Sequence, residues 1–194
     1  MISAIDKAIL FALRAHAGQR RKTGKEIPFI AHPFGVAMLL QRMGCAEEVV
    51  IAGLLHDTVE DTSVTMPQIE MEFGAEVARI VSYCTEPRGR WETRKQFLID
   101  SLRHAPLEAK LLAAADKYHN LSHMLHNQEK YGTNMWLNFS RGAEKQAWYY
   151  RTVTDSILAG ISDPAQYPIF GLLQDVVERL FAGIPATPVS SPPT

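Results

Sequence analysis

Val49-Val50-Ile51-Ala52-Gly53-Leu54-Leu55-His56-Asp57-Thr58-Val59-Glu60-Asp61 is the stretch on which the reading of this 194-residue chain turns. Seven uncharged residues lead into one imidazole and three carboxylates. A helix from Glu47 to about Thr58 is apolar nearly all round, and such a helix belongs at the centre of a helical domain. At about 100° per residue, His56, Asp57, Glu60 and Asp61 fall near 0°, 100°, 40° and 140°, so the four polar groups share one face. Three carboxylates this close repel one another unless protonated or paired with a cation, and a divalent metal is the economical solution. On this stretch alone, a helix end with hydrated acids explains the pattern equally well.

The flanking sequence repeats the helical period. Ile5, Ile9, Leu10, Leu13 and His16 form one stripe, which predicts an amphipathic helix over residues 3 to 17. Gly18, Gly24 and Pro28 bracket a basic loop. His32-Pro33 opens a second helix, with Val36, Leu39, Leu40 and Met43 as its apolar face. Thr65-Met66-Pro67-Gln68 is a capping-box start, followed by a short helix, Gly74 and another helix to about Cys84. Residues 85 to 90 are a polar break. Further helices are expected over Trp91 to Arg103, Pro106 to about Asn127, Trp136 to Leu158, and residues 164 to 182. No strand alternation is evident. The expected fold class is all-α, a single domain over residues 1–183 of roughly eight to ten helices, with a loose Pro-rich tail at 184–194.

Composition narrows the function classes. Twenty Lys+Arg against 21 Asp+Glu give a net charge of −1, which argues against generic duplex binding. No apolar run approaches the ~20 residues of a membrane helix. The N-terminus lacks a signal-peptide layout. Cys45 and Cys84 sit in apolar-periodic segments, so a disulfide framework is not expected and a reduced, cytoplasmic setting is. The expected partner is a small molecule, with no nucleic acid and no membrane, and homo-oligomer formation is left open.

Two further segments carry chemistry. Ala31-His32-Pro33 places a histidine at a helix start. Ala113-Ala114-Ala115-Asp116-Lys117-Tyr118-His119-Asn120 places an aspartate at the end of an apolar run, with Asn120 one turn on. Imidazole and carboxylate donors together suit Mn, Fe or Zn. The ordered set His32, His56-Asp57, Asp116 resembles the HD metal-dependent phosphohydrolase superfamily. Arg21-Lys22-Thr23-Gly24, Pro28-Phe29-Ile30-Ala31-His32-Pro33, Leu54 to Thr62, Phe73-Gly74-Ala75-Glu76-Val77 and Ala115 to Leu121 are similar to the hydrolase domain of RelA/SpoT-type proteins, most of all its stand-alone form, the small alarmone hydrolases.

That resemblance implies a helical HD bundle and one metal ion, usually Mn²⁺, held by His32, His56, Asp57 and Asp116. It implies removal of the 3′-pyrophosphate from ppGpp or a related nucleotide of the stringent response, with Glu60 and Asp61 orienting or deprotonating the attacking water. Arg21, Lys22 and Asn120 match nucleotide-contacting positions, and Lys95 and Arg141 align more loosely as phosphate contacts. With no room for a synthetase domain, degradation without synthesis is expected. Departures exist: Ser122 stands where the family commonly has arginine, and His119, His123 and His126 share a face that could be a pocket rim or a second metal site. The base of the nucleotide stays open. A different HD phosphohydrolase, acting on NADPH or a nucleoside monophosphate, is the alternative enzyme. A nucleotide-sensing module would have lost a ligand or the Glu60-Asp61 pair, and a structural helical partner would rest only on Trp148-Tyr149-Tyr150 and the tail.

Overall fold

A computed structural model describes residues 2–21 and 24–185; Lys22 and nearly all of the expected tail lie outside these residues. The described residues form ten α-helices, two short 3-10 segments and one two-stranded ribbon. The helices are α1 (Ala4–Ala15), α2 (Ala31–Arg42), α3 (Glu47–Leu55), α4 (Thr58–Asp61), α5 (Met66–Phe73), α6 (Ala75–Cys84), α7 (Trp91–Arg103), α8 (Leu107–Tyr131), α9 (Ala143–Leu158) and α10 (Pro168–Leu180). The all-α expectation holds. The exception is the basic loop, where β1 (Arg20–Arg21) and β2 (Gly24–Pro28) pair antiparallel with an irregular register.

Every residue of α3 from Val49 to Leu55 is buried, and the helix packs against α1, α2, α6 and α8. It can approach α2 closely because position 53 is glycine. A Cβ there would stand 2.8 Å from Leu40 Cδ1 and 3.3 Å from the Ala37 backbone. The helix ends three residues before the expected Thr58. Around the turn, side chains take the carbonyls that a continuing helix would use: His56 Nδ1 lies 2.9 Å from the Gly53 oxygen, and Thr58 Oγ1 donates to Leu55 at 2.6 Å. The chain turns at His56-Asp57 and resumes as the single turn α4.

The capping box at Thr65 forms, with the backbone N–H of Thr65 donating to Gln68 Oε1 at 2.8 Å. The long helix expected from Trp136 begins only at Ala143. Gly132–Asn138 is a 3-10 segment, and Gly142, extended at the cap, interrupts the helical register. Beyond it, α10 buries Ile169, Phe170, Leu173, Val176, Val177 and Leu180 against α8 and α9. Phe170 is fully buried. Phe170→Ala is therefore expected to cost about 3–5 kcal/mol in urea unfolding while sparing the chemistry of a site on other helices. Among the described residues, no helix is long and apolar enough to cross a membrane.

Candidate active site and metal centre

Three segments converge where α3 ends. The start of α2 supplies His32, the α3–α4 turn supplies His56 and Asp57, and the buried centre of α8 supplies Asp116. His32 Nε2 lies 3.1 Å from Asp116 Oδ1 and 3.5 Å from Asp57 Oδ2. His56 Nε2 lies 3.3 Å from Asp57 Oδ1 and 3.7 Å from Asp116 Oδ1. Donors held about 2.0–2.2 Å from a common ion stand roughly 3–4 Å from one another, which is the spacing of this set. His32, His56 and Asp57 offer ligand atoms within 4.8 Å of one another, and they are the one such group among the described residues.

The donor set fits a cation on a second ground. A carbonyl can only accept, so the contact to Gly53 places a hydrogen on His56 Nδ1 and turns Nε2 toward the carboxylates. That Nε2 is buried and has no hydrogen-bond partner. Burial alone would lower the pKa of His56, but Asp57, Asp116 and the Gly53 carbonyl push it up to about 9. The pair of carboxylates thus asks for positive charge at this point. Burial alone would raise the Asp116 carboxyl; Lys117 and the two imidazoles hold it well below the usual range. Lys117 Nζ reaches Asp116 Oδ2 at 2.6 Å, and Asn120 Nδ2 donates to Oδ1 at 2.7 Å.

Glu60 and Asp61 line the same cavity, which has a volume of about 500 Å³. Glu60 is held from two sides. Arg94 Nη2 donates to one oxygen, and the Glu86 backbone N–H donates to the other at 3.2 Å. Arg94 also reaches Glu86 at 3.0 Å, and Lys95 Nζ reaches Glu86 at 2.6 Å. Burial, then the neighbouring Glu86 charge, raises the Glu60 carboxyl above its ordinary value, with Arg94 opposing. The Asp61 carbonyl accepts from Gln19 Nε2 at 2.8 Å, which ties α4 to the loop before the ribbon. Arg21 Nη2 donates to Asn120 Oδ1 at 3.0 Å, so the guanidinium, the amide and Asp116 form one chain.

Arg21, Asn120 and Lys95 all line the cavity, as does His123. Arg141 does not join them. Its guanidinium pairs with Glu92 at 2.8 Å, because α7 and α9 pack side by side and bring the two together. Lys22 lies outside the described residues. His119, His123 and His126 border a second, smaller cavity of about 370 Å³. They form no further metal group among the described residues. Glu86, Arg94 and Lys117 are parts of the site that inspection of the sequence missed. Glu86 hides in the polar break, and Lys117 adjoins Asp116 in sequence, where helical neighbours ordinarily point apart.

The HD-domain family profile matches residues 8–135, well over half of the chain and all four converging side chains. This chain belongs to the HD-domain family. The chain is 41% identical over 114 residues to the human protein named guanosine-3′,5′-bis(diphosphate) 3′-pyrophosphohydrolase MESH1, a match covering 57% of this chain and 64% of that protein. The chain thus spans about two thirds, or slightly less, of the curated relatives it matches first. A crystal structure of lmo0812 from Listeria monocytogenes shares 39% identity and a TM-score of 0.73, covering 77% of this chain and 98% of that one. The structure of a metazoan ortholog of SpoT described as hydrolyzing ppGpp has a TM-score of 0.72 over 91% of this chain and 95% of that one. At 23% identity the latter shows the shared fold. The HD fold implies a divalent metal, and the donors present fit one. Tyr150 on α9, beyond the matched span, completes the cavity wall.

Proposed function

We propose that this HD domain is a metal-dependent hydrolase that removes the 3′-pyrophosphate from ppGpp-type alarmones, with Mn²⁺ as its ion and His32, His56, Asp57 and Asp116 as the residues that hold it. The observation that carries this reading is the meeting of two imidazoles and two carboxylates with Glu60, Asp61, Arg21 and Asn120 in one cavity. The similarity to MESH1, whose name states that activity, supports the substrate class.

When bound, the ion supplies Lewis acidity, making water more acidic and polarising a phosphoryl oxygen. The chain supplies the rest. Glu60 and Asp61 orient the attacking water and take its proton; a carboxyl held above its ordinary pKa is the better base near neutral pH. Water adds to the phosphorus carried by the ribose 3′ oxygen, the bond between that phosphorus and that oxygen breaks, pyrophosphate leaves, and the ribose oxygen takes up a proton. Arg21 is steadied by a neutral partner and keeps its charge for phosphate, while Lys95 and Lys117 are largely spent on carboxylates. Free Cys45 and Cys84 and a nucleotide substrate support a cytoplasmic setting.

Incubation with ppGpp, ppApp, NADPH and nucleoside monophosphates, with Mn²⁺ or with chelator, tests the reading. Pyrophosphate release from ppGpp or ppApp with Mn²⁺ alone is expected. Inorganic phosphate from NADPH or a monophosphate, without pyrophosphate release, would replace this reading by the other phosphohydrolase. Arg21→Ala should raise KM about 10- to 100-fold, as loss of a charge-assisted phosphate contact does. Arg141→Ala should leave KM within about twofold, since a partly exposed pair such as that with Glu92 acts only locally. Steady-state kinetics on both variants checks the contrast.

A further inference from the structure

We infer that His119 is a positioning residue, holding His32 with Nε2 turned into the metal centre from a notch that exists because residue 35 is glycine. The inference rests on the metal centre proposed above. His32 Nδ1 and His119 Nδ1 lie 2.9 Å apart, with their rings 4.9 Å apart. One nitrogen must donate and the other accept. His32 Nε2 faces carboxylate oxygens of Asp116 and Asp57 and can serve a cation only through a bare lone pair. The hydrogen of His32 therefore sits on Nδ1, and His119 Nδ1 accepts it. Imidazoles that hold metals usually donate their second N–H to an outer partner, which fixes ring orientation and tautomer. Here that partner is another imidazole, from a helix 87 positions away.

Gly35 makes the contact sterically feasible. A Cβ at this position would lie 2.4 Å from His119 Nε2 and 2.8 Å from Cδ2, inside the ring's own space. The residue sits within α2 and is not among the glycines with positive φ, so no turn demands glycine there. Helix propensity alone would favour alanine. Glycine at this point of α2 is explained by the ring it admits. The His123 ring, 4.7 Å from that of His119, backs it from the same helix.

The test is calorimetric titration of chelator-stripped protein with Mn²⁺. His119→Ala and Gly35→Ala should each weaken Mn²⁺ binding about 10- to 100-fold, the cost typical of losing an outer-sphere partner. His119→Asn, whose side-chain oxygen can accept from His32 Nδ1, should stay within about threefold of the parent protein. In the double variant, Gly35→Ala should add nothing to His119→Ala, because no ring remains to be displaced. Melting of the metal-free variants should track the parent, which separates positioning from general loss of structure. Unchanged Mn²⁺ affinity in His119→Ala, or a full second loss on adding Gly35→Ala, would overturn the inference. A parent protein that binds no divalent ion would instead remove the metal reading beneath it.

Discussion

Asp57→Ala is expected to abolish stoichiometric divalent-metal binding and to lower pyrophosphate release by about 10³-fold or more, the scale of several kcal/mol of lost charge stabilisation. Asp57 turns a separate oxygen to each imidazole, one toward His32 and the other toward His56, whereas Asp116 presents a single oxygen to both. Without it the centre retains Asp116, whose second oxygen is already matched by Lys117 at 2.6 Å. One half-neutralised carboxylate is a poor host for a divalent cation. Asp57→Asn keeps the shape and removes only the charge, so it should lose metal nearly as completely. Metal content after dialysis and titration calorimetry check the binding, and steady-state rates check the pyrophosphate release. An Asp57→Ala protein that holds metal as the parent does would refute the ligand set.

Glu60→Gln should behave differently. Metal binding should persist, because Glu60 stands outside the converging donors, while kcat falls about 10²- to 10⁴-fold, the usual contribution of a positioned base. The pH profile adds a second readout. The Glu60 carboxyl is raised by burial and by Glu86, and only its ionised form can accept a proton. Activity is therefore lost as pH falls through that raised value, above the roughly 4.3 of a free glutamate. Glu60→Gln should erase this acid limb. Arg94→Ala removes the cation that opposes the shift, so the limb should move to still higher pH. Full kcat in Glu60→Gln would show that another group does the proton transfer.

Much of this molecule was legible in local pattern. The buried run from Val49 to Leu55, the capping box at Thr65 and the polar break after Cys84 appear where the periodicity predicts them. They depend on neighbours within a few positions, which is the range of helical hydrogen bonding and capping. The interruption at His56-Asp57 was harder to see, because it arises from side chains taking backbone carbonyls of the preceding turn. The ribbon carrying Arg21 is too short for alternation to register.

Long side chains were the least legible. Lys95 and Arg141 read alike as cations near the expected phosphate and both pair with a glutamate, but Lys95 and its partner Glu86 line the cavity, whereas Arg141 and its partner Glu92 do not. Arg94, beside Lys95, carries no local signal that sets it apart from other helix-surface cations, and it holds Glu60. A flexible cation goes to whichever carboxylate the packing of its helix brings within reach, and that geometry is not written in its own neighbourhood.

The helical class, the apolar axis of α3 and the residue types able to bind a cation are readable from the chain alone, since each follows from periodicity and intrinsic chemistry along a few turns. The resemblance implies that residues 32, 56, 57 and 116 meet, and the distances among them come from the folded chain, as do the pairing of Arg141 with Glu92 and the room that Gly35 leaves for His119. Those outcomes depend on the separation of packed helices, where an added methyl group or a shift of an ångström determines which groups touch.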